Sequence, residues 1–313
     1  MGTAIVWLRN ILRIHDNPLL DWACASDEID SVIPLVVLDP ARGIGEEGGL
    51  SPNRMRFLYD SIVDLGDRLE SEYSAGLMVL HGKPKKAIPL IAEELGPGAW
   101  LLCDYRPEPE SRHEVSDIQA SLSAMGVQSK VFPSVGTILD VEDVIGSEGY
   151  RNPKSSSDIG NIMGRSLGEG PDGYLVPKPL EPPGHVTFDK GTFDSLGSSE
   201  SLSGMVVTRG EIAERAAELG LGELYFGGGE SEALERLRRK VSERPEFVNE
   251  FSKPSTMSTN EMGSPMEPST TGLSPYISTG CLSVRTVWDE CAAANLSSDH
   301  TRPPQSLIGQ LMF

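Results

Sequence analysis

Residues 31–80 read SVIPLVVLDPARGIGEEGGLSPNRMRFLYDSIVDLGDRLESEYSAGLMVL. The ends of this stretch, Ser31–Leu38 and Gly76–Leu80, are short runs of Val, Ile, Leu and Met. Such runs suit strands buried on both faces. Between them the spacing predicts a helix from Pro52 to about Tyr73, with Ser51 as cap and Pro52 at its first position. Met55, Leu58, Ile62, Leu65 and Leu69 step by three and four, so they form one apolar stripe. A strand, a striped helix and a second buried strand make a parallel crossover unit.

Working outward, Thr3–Leu8, Ala99–Cys103 and Val127–Phe132 read as further buried strands. A second helix carries Val115, Ile118, Leu122 and Met125 on one face and is stopped by Gly126. Five strand patterns alternating with four helical ones predict an α/β fold: an N-terminal doubly wound, mainly parallel sheet.

Beyond residue 150 the pattern breaks. Residues 150–210 hold 10 Gly, 9 Ser and 6 Pro, so composition predicts a long linker with little persistent structure. Helical spacing returns at 209–219 and at 230–242, where Leu234, Leu237 and Val241 line one face. Residues 252–269 read as another loop, followed by short helices at 275–279 and 283–294. The final SLIGQLMF, 306–313, starts an amphipathic helix. The expected organisation is a sheet domain at 1–140, a linker at 141–208 and a helical region at 209–313.

The chain of 313 residues carries a net charge of −19, which argues against a large nucleic-acid face within it. Cys24, Cys103, Cys281 and Cys291 have no C-x-x-C spacing and no His cluster near them, so free thiols are expected and no metal site. No secretory signal, myristoylation pattern or bilayer-length apolar run is present, which predicts a nuclear or cytoplasmic protein that is not secreted.

Few motifs carry chemistry. Thr270-Thr271-Gly272-Leu273-Ser274 is rich in hydroxyls, turns at Gly272, and leads to Pro275, with Ser274 expected as the helix cap. A helix start of this kind seats a phosphate on free N–H groups. Arg9 to Asp16 follow the first strand, where doubly wound sheets bind ligands, but Asn17-Pro18 alone reads as an Asx cap before proline. No G-x-G-x-x-G follows that strand. Gly227-Gly228-Gly229-Glu230 has neither the preceding strand nor the following Lys of a phosphate loop, and reads as a flexible lead-in to a helix. Five scattered His offer no nucleophile–base set.

Taken together, Trp7-Leu8-Arg9, Leu12-Arg13, His15-Asp16-Asn17-Pro18-Leu19, Leu38-Asp39-Pro40, NRMRFL at 53–58, GGGESEALERL at 227–237, TTGLSPYISTGCLSVRT at 270–286 and SLIGQLMF resemble the photolyase/cryptochrome family. The closest likeness is to its (6-4) photolyase and animal-type cryptochrome branch. The resemblance implies an α/β antenna domain, a long connector and a helical domain that holds FAD. It implies that Thr270, Thr271, Gly272, Leu273 and Ser274 meet the FAD phosphates and that Gln310 lines the flavin pocket. It further implies a second antenna chromophore of folate or deazaflavin type. The expected partners are damaged DNA for a photolyase and signalling proteins for a cryptochrome, with no membrane.

The family's helical domain continues past Gly309-Gln310-Leu311, and its electron-transfer tryptophans and catalytic His lie in that part. No catalytic residue is therefore assigned here, the helical region is expected to be incomplete, and FAD binding is expected to be weak or absent. The connector lacks the family's Thr-Tyr-x-x-Phe segment, Phe313 stands in place of Trp, and Thr279 replaces a larger residue. The implied function is light-driven repair of a DNA photoproduct. The alternative is a non-enzymatic blue-light receptor, toward which the acidic charge leans.

Overall fold

The computed structural model describes residues 2–311 except 44–45, 47–48, 134, 150–152, 171–172, 223–225, 254–269 and 296–298. The expected loop at 252–269 thus lies almost wholly outside the described residues. Two compact units are formed, each from two pieces of chain. Unit 1 comprises 1–135 and 180–230, and unit 2 comprises 136–179 and 231–313.

Unit 1 is built on five strands: β1 (Gly2–Trp7), β2 (Ile29–Leu38), β3 (Met78–His81), β4 (Trp100–Asp104) and β5 (Gln128–Phe132). They pair in the order β3-β2-β1-β4-β5, and every pairing is parallel. All five are the expected strands, with ends shifted by one or two residues. The connecting helices are α1 (Pro18–Ala25), α2 (Pro52–Tyr73), α3 (Pro84–Leu95) and α4 (Pro109–Ala124). Ile5, Trp7, Ile33, Leu35 and Leu80 of the sheet cluster with Ile88 and Ile91 of α3 and Ile118 and Leu122 of α4. Period-two alternation sends Ala4 and Val6, also buried, to the opposite face. On α2 the expected stripe is buried except at Leu58, where Phe57 turns inward instead.

Residues 141–208, expected as a linker, are structured over most of their described length. They contain α5 (Val141–Glu148), α6 (Ser156–Leu167) and α7 (Lys190–Gly197). The reason is that small polar residues of this stretch, two of the counted serines among them, act as helix caps. The Ser155 hydroxyl accepts from Asp158 N, and the Asp189 carboxylate accepts from Gly191 N. Ser199 caps a 3₁₀ turn at 200–202, and Thr208 makes a full capping box with Glu211. Residues 205–207 then close the β3 edge. His81 N donates to Met205 O at 2.7 Å and Val207 N donates to Val79 O at 2.9 Å. Helix α8 (Arg209–Glu218), which the sequence places with the helical region, packs on α2 of unit 1.

Among its described residues, the regular structure of unit 2 is helical apart from a ribbon that pairs Glu169–Gly170 with Gly173–Tyr174. Its helices include α9 (Glu230–Leu237), which starts at the unit boundary and runs into a π-helical turn at 238–242. The others are α10 (Pro245–Glu250), α11 (Ser274–Thr279), α12 (Val284–Asn295) and α13 (Leu307–Gln310). α10 and α13 both pack on α12.

Candidate functional site

The hydroxyl-rich loop belongs to unit 2. Gly272 turns it with φ +65°, a left-handed conformation that glycine adopts without a Cβ clash. Thr271 and Leu273 are buried, Thr270 is half-buried and Ser274 is exposed. The expected cap is displaced by one residue. Leu273 is the residue before the first helical turn, and Ser274 is already helical. The cap position is held by Leu273, which has no side-chain acceptor, and among the described residues the Ser274 hydroxyl makes no hydrogen bond. Leu273 lies in the helical region of the backbone (φ −84°, ψ −14°), so its carbonyl accepts from Tyr276 N and Ile277 N, both at 3.1 Å. The Ser274 hydroxyl is therefore exposed at the head of α11 and not needed to hold the helix together.

Behind this loop stands Tyr276, fully buried. Burial pushes its phenol up to about 12, and the Arg236 guanidinium beside it opposes that rise. Arg236 itself is 4 % exposed. Gln310 is brought to the C-terminal end of unit 2 by α13, whose cap Ser306 accepts from Gly309 N at 3.1 Å. A Cβ at Gly309 would lie 2.6 Å from the Pro304 backbone, so only glycine allows this packing. The Gln310 amide donates to Pro304 O at 3.0 Å. Among the described residues, no hydrogen bond joins Gln310 to the 270–274 loop.

Unit 1 offers a second polar concentration, at the carboxyl ends of its strands. The strand order reverses between β1 and β4, and crevices at such points take ligands. Arg9, just after β1, donates from Nε to Asp104 Oδ1 at 2.8 Å and lies 4.6 Å over the Trp7 ring. Arg106 Nε donates to the other oxygen of Asp104 at 3.0 Å. Glu114 of α4 is raised above the usual carboxylate range by burial. Arg9, Arg42 and Lys85 pull against that rise, and Asp39 adds to it.

Residues 13–16 form a hub that sequence reading missed. The Glu230 carboxylate, fully buried, accepts from Ile14 N at 2.7 Å and His15 N at 2.9 Å, and pairs with His15 Nδ1 at 2.6 Å. Arg68 of α2 completes it with an ion pair. Burial alone would raise the Glu230 carboxyl. The His15 hydrogen bond and the nearby His15 and Arg68 charges outweigh burial and hold it below its ordinary range. Arg13, 1 % exposed, donates to His15 O, Asp16 O and Val135 O, each at 3.1 Å. Asp16 exchanges bonds with Leu180 through its own N–H at 3.1 Å and its carboxylate at 2.9 Å. Val135, Leu180 and Glu230 are the three points at which the chain leaves or re-enters unit 1. One four-residue stretch thus ties all three.

The Gly-Gly-Glu segment is therefore no flexible lead-in. A Cβ at Gly228 would meet Phe57 O at 2.1 Å, and Gly229, at φ +121°, would meet the Asp64 side chain at 2.7 Å. Close approach to α2 requires both glycines and delivers Glu230 to the hub. The Asx cap does form as expected. Asn17 Oδ1 accepts from Leu19 N and Leu20 N. All four cysteines are free, Cys24 being only half-buried. Among the described residues no cluster of metal-ligating side chains occurs, and no helix is long and apolar enough to cross a membrane.

Residues 4–155 match the family model for DNA photolyase. Over 99 % of its length the chain is 29 % identical to the (6-4)DNA photolyase of Arabidopsis thaliana, of which it covers 53 %. It is also 29 % identical to Cryptochrome-1 of Gallus gallus, covering 46 % of that protein. The chain thus spans about half the length of the curated relatives it matches. Among solved structures, a Synechocystis cryptochrome superposes with TM-score 0.72 at 19 % identity, over 99 % of this chain and 59 % of that one. An archaeal photolyase from Sulfolobus tokodaii, described with two FAD molecules and a novel light-harvesting cofactor, gives 0.61 at 19 % identity, over 92 % of this chain and 54 % of that one. These two likenesses show the shared fold.

Proposed function

From the match to the DNA photolyase model and the likeness to (6-4) photolyases and cryptochromes, we propose that the chain is a blue-light flavoprotein of that family whose 270–274 loop holds the diphosphate of FAD. The observation that carries this reading is the state of Ser274. The residue is exposed at the head of α11, already inside the first helical turn and so not its cap. The donor set also fits. Thr270, Thr271 and Ser274 supply hydroxyls, Gly272 turns the backbone, and the buried Arg236 supplies positive charge nearby. In this reading Thr271 and Ser274 orient the phosphates, and Gln310 lines the flavin side. FAD, when bound, would supply the blue-light absorption and the transferable electron.

The residues that fit FAD here gather at its phosphate end. Good sites bury roughly 70–90 % of a ligand, so the 313-residue chain by itself should hold FAD weakly. The point of strand-order reversal between β1 and β4 suits the second antenna chromophore, since charged residues of five separate segments gather around the strand ends. A nuclear or cytoplasmic location fits the same reading.

For activity we propose light-driven repair of a DNA photoproduct, after the photolyase relatives. The net charge of −19 favours the second reading, a cryptochrome-like receptor with signalling proteins as partners, because gripping DNA needs a basic face. The test is flavin titration of the purified chain, followed by blue-light exposure with an oligonucleotide carrying a (6-4) photoproduct. Saturable FAD binding with photoproduct loss supports repair, and binding without loss supports the receptor. Failure of FAD to bind at any concentration would overturn both.

A further inference from the structure

The segment that covers the β3 edge is clipped to unit 1 at its start. Ser199 Oγ and Ser201 Oγ both donate to the same oxygen of Glu94, on the last turn of α3, at 2.6 and 2.7 Å. The two hydroxyls lie 2.8 Å apart, and Ser199 also caps the 3₁₀ turn at 200–202. Bonds from Ser199 and Ser201 hold the Glu94 carboxyl below its usual range. Among the described residues no lysine or arginine pairs with this carboxylate.

From the clip a continuous set of contacts leads to the sheet. The 3₁₀ turn carries Leu202, fully buried, into the cluster with Ile88, Ile91 and Ala92 of α3. Leu202 O accepts from Met205 N at 2.9 Å, and Met205 O accepts from His81 N at 2.7 Å. Val206 forms an antiparallel bridge with Leu80, and Val207 N donates to Val79 O at 2.9 Å. Residues 199–207 are thus a strap, with a polar clip at one end and the β3 edge at the other. Ser201 is exposed, and small residues flank its turn: Gly197 and Ser198 before it, Ser203 and Gly204 after it. An enzyme can therefore reach this hydroxyl without first opening the strap.

We propose that Ser201 is a phosphorylation site and that the strap is the element it releases. A serine kinase moves the γ-phosphoryl group of ATP. The bond from its phosphorus to the bridging oxygen of ADP breaks, the bond from phosphorus to Ser201 Oγ forms, the hydroxyl proton passes to the kinase's base and ADP leaves. The phosphoserine carries about −1.5 to −2 charge at neutral pH. It no longer has the proton that Glu94 accepted, and it occupies the place of a group 2.7 Å from that carboxylate. Glu200, next in the chain, adds to the negative charge. Like charges this close repel, so the clip opens. Val79 and His81 then lose their partners on the strap, and β3 becomes an open edge able to pair with another strand.

The experiment incubates the full chain with an acid-directed serine kinase and Mg-ATP and locates the phosphate by mass spectrometry. Backbone hydrogen exchange is then followed at His81, at Val207 and, for reference within the sheet, at Leu102. Phosphate at Ser201 should speed exchange at His81 and Val207 about 10-fold or more and leave Leu102 unchanged. Ser201→Ala should take no phosphate at that position and keep the parent's exchange. Glu94→Gln keeps an acceptor for both hydroxyls but removes the opposing charge. Once phosphorylated it should show less than about a third of the parent's acceleration. No phosphate at Ser201 overturns the proposal, as does phosphate there with unchanged exchange at His81 and Val207. Equal acceleration at Leu102 also overturns it, because that marks a weakened domain and not a released strap. Equal acceleration in phosphorylated Glu94→Gln overturns it too, since the opposed charges would then have no part in the release.

Discussion

The carboxylate of Glu230 sits 2.6 Å from His15 Nδ1, although 215 positions separate the two residues in the chain. With two backbone N–H groups and Arg68 also on that carboxylate, all of its hydrogen-bonding capacity is used inside the protein. Removing its charge leaves His15 and Arg68 facing an amide that accepts less well. Glu230→Gln should therefore destabilise unit 1 by about 3 kcal/mol, the low end for breaking a buried pair. Urea unfolding measures this, and a midpoint within error of the parent would refute it.

The same carboxylate makes stability depend on acid. Its folded pKa lies below the ordinary 4.5, so its contribution is complete above that value. The contribution is lost as pH falls below 4.5 and through the depressed pKa. The parent should lose stability more steeply than Glu230→Gln over this acid range, and parallel curves would count against the assignment.

Ser274→Ala separates two roles that sequence alone left tangled. Because Ser274 is exposed and lies inside the first helical turn and not at its cap, the ligand-free variant should match the parent within about 0.5 kcal/mol. FAD affinity should fall on the order of 10- to 100-fold if the hydroxyl meets a phosphate. Calorimetry of the free protein and flavin titration check the two halves, and unchanged affinity would remove Ser274 from the site.

Gly228→Ala tests the close approach of the Gly-Gly-Glu segment to α2. The added methyl would meet Phe57 O at 2.1 Å, so the backbone must move. Overpacking of this kind costs roughly 1–3 kcal/mol. A neutral thermal shift would show that the contact yields easily.

A fragment ending at 135 carries all five strands but lacks the 205–207 edge cover, α8 and Glu230. We expect it to unfold broadly and at lower temperature than a fragment ending at 230, which should melt cooperatively. Equal melting of the two would mean that the returning segment adds nothing. Limited proteolysis should likewise spare 186–207, where Val186, Leu196, Leu202 and Val207 are buried.

The sheet was legible because buried parallel strands and a striped helix leave a strong local pattern, as 31–80 does. The 150–210 segment was misread because composition does not distinguish Ser155, Asp189 and Thr208 as caps from the same residues in a free loop. The hub was invisible for a different reason. Glu230 gains its role only from Ile14, His15 and Arg68, and no local window contains those partners. At 270–274 the residue types pointed to the loop correctly. The register of the cap slipped by one because the backbone of Leu273 entered the helix early.

The hub also bears on how the protein is made. Arg13, His15 and Asp16 emerge from the ribosome among the first residues, yet their partners come at 135, 180 and 230. At about 5–20 residues per second, Glu230 follows His15 by roughly 10–40 s. Throughout that interval a nascent sheet can form, but Arg13 lacks Val135 at first, Asp16 lacks Leu180 and His15 lacks Glu230. The N-terminal third of the chain is therefore committed to waiting for its own middle.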